Sequence, residues 1–206
     1  MPPSVVVTAE DLEVHYHGGP DAAVHGVGLR LEPGQGLLIG GGPGAGKTTV
    51  LRALLGLVPA RGHIRVLGAS PATGLGGAVG YGPEGDTFAS GLRLREAVHA
   101  VVALRGLREV AAVRDDAIER AGLSYVADYR TRRLDTEGFR RLSLAMAVAG
   151  DPDLVVMDDP WVLPETLDEI AAARRRGAAV IVASRNAGGL APALGGRLPL
   201  IDGRPR

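Results

Sequence analysis

The chain has no cysteine and only one lysine, one asparagine, one glutamine and one tryptophan among 206 residues. The lack of cysteine excludes a disulfide framework and a thiolate metal centre, and it fits a reducing compartment. Aromatic residues make up 3% of the chain, too few for the basic and aromatic interleaving of a nucleic-acid surface. Lysine plus arginine and aspartate plus glutamate each number 23, for a formal charge of +0, so no global field draws in a polyanion. No apolar run approaches the roughly 20 residues of a membrane span. The opening "MPPSVVVTAEDLEV" lacks the basic segment and apolar stretch of a secretory leader. Together these absences predict a soluble, cytoplasmic chain with no nucleic-acid partner and no direct membrane insertion.

Apolar residues reach 46%, enough to bury a sizeable core in one domain of this length, with or without two lobes. Alanine, glycine and arginine are abundant, and the scarcity of Lys, Asn and Gln runs along the whole chain. Such drift explains a missing glutamine or asparagine anywhere. It also makes Lys47, the single lysine, informative.

Patterning divides the chain into alternating elements. "SVVVTAEDLEVHYH" and "VHGVGLRLEPGQGLLIG" read as short strands with a turn at "EPGQ". "TTVLRALLGLV" reads as a helix ended by Pro59, "GHIRVLG" as a strand, "GASPATGLGG" as a connector and "AVGYG" as a buried strand. Three helical segments follow, "LREAVHAVVALRG", "REVAAVRDDAIERAG" and "EGFRRLSLAMAVAGD". Then come the strand "DLVVMDD", the helix "PETLDEIAAARRRG" and the strands "AAVIVAS" and "RLPLIDG". Bare apolar strands alternating with helices predict a mainly parallel sheet covered on both faces.

Gly41-Gly42-Pro43-Gly44-Ala45-Gly46-Lys47-Thr48 fits G-x-x-x-x-G-K-[ST] between a strand and a helix. The glycines permit positive φ and turn successive N–H groups inward on phosphates, and the helix N-terminus adds its dipole. Lys47 supplies a compact charge that a forked guanidinium cannot replace in a tight loop. The Thr48 hydroxyl suits Mg²⁺. The plainer reading is a chance glycine loop before a helix, which the strand–loop–helix context and the unique lysine oppose. On a separate strand, Asp158 ends "LVVMD" where a nucleotide-bound metal needs a carboxylate. The plainer reading is two acids capping a turn before Pro160.

With these motifs and a helical stretch between them, the chain resembles the nucleotide-binding domain of ATP-binding cassette (ABC) proteins from about residue 5 to 203. "LRLEPGQGLLIGGGPGAGKTTVLRALLGLVPARGHIRVLG" follows that pattern closely. The resemblance implies an α/β fold: a P-loop NTPase core with a mainly parallel sheet, an N-terminal antiparallel β lobe and a helical insertion lobe. It implies one domain, with a core lobe over about 1–84 and 151–206 and a helical lobe over about 85–150. The implied nucleotide-binding set is Tyr16, as an adenine platform, with Gly41, Gly42, Gly44, Ala45, Gly46, Lys47, Thr48 and Thr49. A half-buried strand tyrosine is the alternative for Tyr16.

Several family positions differ. Glu84, in "VGYGPEGD", stands where the family carries glutamine, and it keeps an oxygen for Mg²⁺ or for water. Asp159 replaces the general-base glutamate with a side chain one methylene shorter. Arg185, in "VIVASRNAG", replaces the switch histidine and suits either a γ-phosphate contact or a solvated surface. Leu134-Asp135-Thr136-Glu137-Gly138 takes the place of "LSGGQ", and "WVLPE" replaces the loop after Asp159. A like-charge contact at about 4 Å costs about 4 kcal/mol at an effective dielectric near 20, against roughly 1 kcal/mol from an ordinary hydrogen bond. Asp135 and Glu137 therefore make this segment a poor phosphate clamp. The arginines of "YRTRR", "FRR" and "RRRG" read as solvated helix faces, or as contacts for an acidic partner.

The metal set is Thr48, Asp158 and Glu84, and the catalytic set is Asp159, Arg185 and Glu84. The cofactors implied are ATP and Mg²⁺. The resemblance implies an ATP-binding subunit with weak hydrolysis, coupled to a transmembrane permease or to a second ABC-type subunit in a homo- or heterodimer. The alternative is a non-hydrolysing ATP-binding module that orders or regulates an assembly. A small-molecule P-loop kinase fits the motif order less well.

Overall fold

The computed structural model describes residues 5–16, 22–85, 91–186 and 188–206. Ser4 and His17 of the first expected strand, Asp86 and Ala187 lie outside the described residues. Strands β1 (Val7–Val14), β2 (Val24–Leu31) and β4 (Arg61–Val66) form an antiparallel sheet in the order β2-β1-β4. Alternation in β1 slips by one residue: Val7 and Ala9 face inward, and so do Leu12 and Val14. A bulge at Glu10-Asp11 absorbs the slip, with Asp11 at φ 52°.

The central sheet has the order β5-β6-β7-β3-β8-β9. Its strands are β3 (Gly36–Gly40), β5 (Val79–Gly82), β6 (Leu154–Asp158), β7 (Ala179–Ser184), β8 (Gly195–Ile201) and β9 (Arg204–Pro205). All neighbouring pairs are parallel except β8 and β9. Both β6 and β7 are buried along their whole length, which is why they read as bare apolar runs.

Alternate side chains of these strands serve different cores. Leu154, Val156, Ala179 and Ile181 join α1 (Lys47–Leu54) and the antiparallel sheet on one face. Val155, Met157, Val180 and Val182 face the other, beside α2 (Leu94–Leu104), α3 (Val110–Arg120), α4 (Thr136–Val148) and α5 (Pro164–Arg175). The helical segment and the sheet thus share one continuous apolar cluster.

Helix α1 stops at Leu54, short of Pro59, because Gly56 takes a left-handed φ of 71° just past the C-cap Leu55. The connector after β4 holds short 3₁₀ turns at Pro71–Thr73 and Gly76–Ala78. A one-turn helix α6 (Ala191–Leu194) and the closing strand β9 were not expected. Among the described residues no helix is long and apolar enough to cross a membrane.

This topology aligns the C-terminal ends of β5, β6, β7 and β3 along one edge. Residues just beyond those ends become neighbours even when far apart in sequence, and such edges are where open parallel sheets hold ligands. Glu84 follows β5, Asp158 and Asp159 end β6, Ser184 and Arg185 end β7, and the glycine loop follows β3.

Candidate functional site

The loop after β3 turns on glycines in conformations closed to other residues. Gly41, Gly44 and Gly46 have φ of 156°, 75° and 91°. A Cβ on Gly41 would stand 2.5 Å from the Leu200 carbonyl oxygen, and one on Gly46 would stand 2.9 Å from that of Ala23. The Gly203 N–H donates to the Ala45 carbonyl at 3.2 Å, and the His25 N–H donates to the Gly203 carbonyl at 2.8 Å. The β8–β9 turn therefore fastens the loop to the antiparallel sheet.

Lys47 opens α1 and is buried. Its Nζ donates to the carbonyls of Gly41 at 2.9 Å and Gly42 at 2.8 Å, folding the ammonium back under the loop. Burial lowers its pKa, while Asp159, Asp158 and Glu84 oppose that shift. The Thr48 hydroxyl donates to Asp158 Oδ1 at 3.1 Å across 110 residues of sequence, joining the two motifs at one point. Asp158 Oδ2 is buried with no hydrogen-bond partner. Desolvation, with Glu84 and Asp159 nearby, holds the Asp158 carboxyl above its ordinary pKa.

An orphaned buried carboxylate oxygen beside a threonine hydroxyl fits a hard cation. Among the described residues no group of three or more His, Cys, Asp or Glu side chains makes an all-protein metal cage. Mg²⁺ does not need one, since it usually takes one or two carboxylates plus water and substrate phosphate. Thr49 shares a 3.2 Å hydrogen bond with the Tyr16 hydroxyl. Tyr16, Ala23 and residues 44–49 line one cleft, and Tyr16 is 45% exposed at its edge.

The altered positions also meet. Arg185 donates from its backbone N to Asp159 Oδ1 at 3.1 Å, and from Nε and Nη2 to Oδ2 at 3.1 and 2.6 Å. The same Nη2 donates to Glu84 Oε1 at 2.5 Å. Ser184 Oγ donates to Asp159 Oδ1 at 3.3 Å. Asp159 itself sits at φ 48°, a left-handed conformation that aspartate tolerates. Burial pushes its carboxyl upward, but the side chain and backbone N–H of Arg185 outweigh that and hold it below the ordinary range. A carboxylate so held is a weaker base than one poised near neutrality. Glu84, expected as a metal ligand, is engaged by Arg185.

Sequence reading missed two of the groups around Asp159, Ser184 and Arg140. Arg140 Nη1 donates to the Asp159 carbonyl at 2.7 Å, and its side chain is only 14% exposed. Arg141, equally covered, pairs with Glu137 and Glu165 at 2.8 Å each. "FRR" is therefore a packed face. In "RRRG", Arg174 also turns inward, donating to the carbonyls of Gly34 and Ala193. The acids of Leu134–Gly138 are engaged locally: Asp135 Oδ1 caps α4 by accepting from Gly138 N at 2.8 Å, and Glu137 holds Arg141.

A family model described as "ABC transporter" matches residues 24–162. The Nod factor export ATP-binding protein I of Rhizobium etli is 35% identical over 148 residues, covering 69% of this chain and 47% of that protein. The taurine import ATP-binding protein of Mesorhizobium japonicum is 30% identical over 154 residues, covering 73% and 60% respectively. The chain thus spans about half the length of these curated relatives. Among solved structures, an ATP-binding subunit of an ABC transporter superposes with a TM-score of 0.85 at 20% identity, covering 97% of this chain and 88% of the other. A dimeric ATP-binding cassette in a post-hydrolysis state with ADP and phosphate superposes at 0.82 with 18% identity, covering 97% and 96%. At such identities the likeness establishes the fold, an α/β cassette of the P-loop NTPase kind.

Proposed function

The chain belongs to the ABC transporter family, and from that premise we propose that it is an ATP-binding subunit holding Mg-ATP in the Gly41–Thr48 cradle with slow hydrolysis. Its partners in this reading are a transmembrane permease and a second ABC-type subunit, which place it in the cytoplasm at the inner face of the membrane. Residues 1–84 with 151–206 act as the nucleotide-binding lobe, and residues 85–150 as the lobe presented to partners. The observation that carries the reading is the meeting of Lys47, Thr48 and Asp158 at one sheet edge, with Asp158 Oδ2 unpartnered.

The glycine loop and the start of α1 offer N–H groups to the phosphates, and Lys47 adds the positive charge. Thr48 and Asp158 would hold Mg²⁺, with Glu84 in reach of the same field. Bound there, the ion would neutralise charge on the nucleotide's phosphates. In hydrolysis a water oxygen bonds to the γ-phosphorus, the bond to the bridging oxygen breaks, and ADP leaves with that electron pair. The water's protons end on phosphate or solvent. In this reading Asp159, once free of Arg185, orients that water, and Tyr16 offers its ring to adenine.

Asp158→Asn tests the reading. In the absence of nucleotide its melting temperature is expected to equal or exceed that of the wild type, because a buried, unpaired charge is removed. The Mg²⁺-dependent gain in ATP affinity is expected to vanish, as measured by calorimetric titration with and without the metal. Wild-type binding that ignores Mg²⁺ would sink the proposal. Tyr16→Ala is expected to weaken ATP binding by roughly 5- to 150-fold, from the 1–3 kcal/mol of a base–aromatic stack. It should leave inorganic triphosphate binding unchanged, and Tyr16→Phe should bind ATP like the wild type.

A non-hydrolysing ATP-binding module is the second reading, favoured by the engagement of Asp159 with Arg185. Steady-state turnover separates the two. A Lys47-dependent rate of about 1 s⁻¹ or faster, within the usual enzyme range, excludes the module.

A further inference from the structure

Arg185 engages both oxygens of the Asp159 carboxylate. A carboxylate has about four lone-pair sites. Asp159 Oδ1 accepts from Arg185 N and Ser184 Oγ, and Oδ2 accepts from Arg185 Nε and Nη2. Arg185 thus fills three of these sites, and the Ser184 hydroxyl, whose one proton is shared with the Asn186 carbonyl at 3.3 Å, crowds the fourth. The arrangement is also braced: Nη2 of Arg185 reaches Glu84 Oε1 at 2.5 Å, and Arg140 holds the Asp159 carbonyl at 2.7 Å. One guanidinium therefore ties the loop after β5 and the loop after β6 to its own loop after β7. Arg185 is nonetheless exposed, at 48% of its side chain, and it lies near enough to Lys47 for its charge to act on that ammonium, so the tie sits within the field of the cradle and can be drawn away.

We propose that Arg185 is an autoinhibitory latch, closing Asp159 against water until a terminal phosphate in the cradle competes for the guanidinium. The latch rests on the reading of the cradle as a Mg-ATP site. Arginine suits both halves of the exchange, since its planar fork pairs with a carboxylate or a phosphate equally well and never loses its charge. A nucleoside triphosphate offers the competing group and a diphosphate does not. The device thus holds back turnover in the resting chain and answers to the third phosphate. Arg185 thus acts on Asp159 when the latch is closed and on the phosphate when it is open.

The sole tryptophan reports on the latch. Trp161 lies two residues beyond Asp159, is 39% exposed, and borders the same hollow as Asp159, Ser184 and Arg185. In the wild-type protein with Mg²⁺, a non-hydrolysable ATP analogue is expected to shift Trp161 emission more than ADP does. In Arg185→Ala that difference should disappear. The same variant is expected to bind ADP within about threefold of the wild type and to raise the ATP turnover number at least tenfold, with KM little changed. Adding Asp159→Asn to Arg185→Ala should return the rate to the wild-type level or below.

A turnover number in Arg185→Ala equal to or below wild type, with ADP binding intact, overturns the latch. So does an equal Trp161 response to the two nucleotides in the wild-type protein, a readout that needs no variant to fold. Failure of the underlying site reading looks different: the wild-type chain would then show no Lys47-dependent ADP binding at all.

Discussion

Lys47→Ala is expected to weaken Mg-ATP binding at least about 100-fold while leaving the melting temperature within a few degrees of the wild type. The ammonium is the one flexible cation inside the loop, and its two present partners are the carbonyls of Gly41 and Gly42. Hydrogen bonds to charged groups contribute about 1.5–3 kcal/mol each, so losing two to phosphate oxygens costs roughly 3 kcal/mol or more, a hundredfold in Kd. The stability change is small because deleting the Lys47 side chain removes two hydrogen bonds and also removes the burden of burying a charge. Lys47→Arg is the sharper comparison. Arginine serves every other basic position in the chain outside the histidines, yet a planar fork cannot fold back under a loop so tight that a Cβ on Gly41 would stand 2.5 Å from the Leu200 carbonyl oxygen. The Lys47→Arg variant would keep the charge and lose the fit, with at least a tenfold loss of affinity. Titration with a fluorescent ATP analogue measures both variants, and wild-type affinity in Lys47→Ala would remove the cradle from consideration.

What could be read from the chain alone was whatever is local. The cradle was legible because glycine, lysine and threonine act within eight residues of one another, and β6 and β7 were legible because both their faces are buried. The tie between Glu84, Asp159 and Arg185 was not. Each residue could be placed after its own strand, but their contact depends on β5, β6 and β7 being adjacent and in register. Arg140 and Arg141 looked like a solvated pair because arginine is common in this composition, and α4 instead turns them onto Asp159, Glu137 and Glu165. One missed element had a local signal. Asp202 and Gly203, at φ 46° and 74°, are a two-residue turn joining Ile201 to Arg204, and Asp-Gly between strands marks a hairpin. That turn is also what fastens the cradle at Ala45.

Gly80→Ala, whose added Cβ meets the shortest contact among the described glycines, is expected to cost about 3 kcal/mol or more. The Cβ it adds would lie 1.8 Å from the Ala147 carbonyl oxygen, 2.8 Å from its carbonyl carbon and 2.9 Å from Pro152 Cγ. Overpacking usually costs about 1–3 kcal/mol because side chains yield. Here the obstacle is the backbone of α4, so the strand and the helix must part. For a chain of this length, about 3 kcal/mol corresponds to a fall of roughly 6–12 °C in melting temperature. The consequence reaches the site, since β5 leads directly to Glu84. Pro83 lies between them, and its carbonyl accepts from Ser143 Oγ of α4 at 2.8 Å. Moving β5 off α4 loosens that anchor and, with it, the Glu84 end of the tie to Arg185. Gly91→Ala is the control, because nothing lies within 4 Å of its added Cβ, and it should melt like the wild type. If Gly80→Ala melts with Gly91→Ala, the close seating of β5 on α4 is wrong, and the placement of Glu84 that depends on it fails as well.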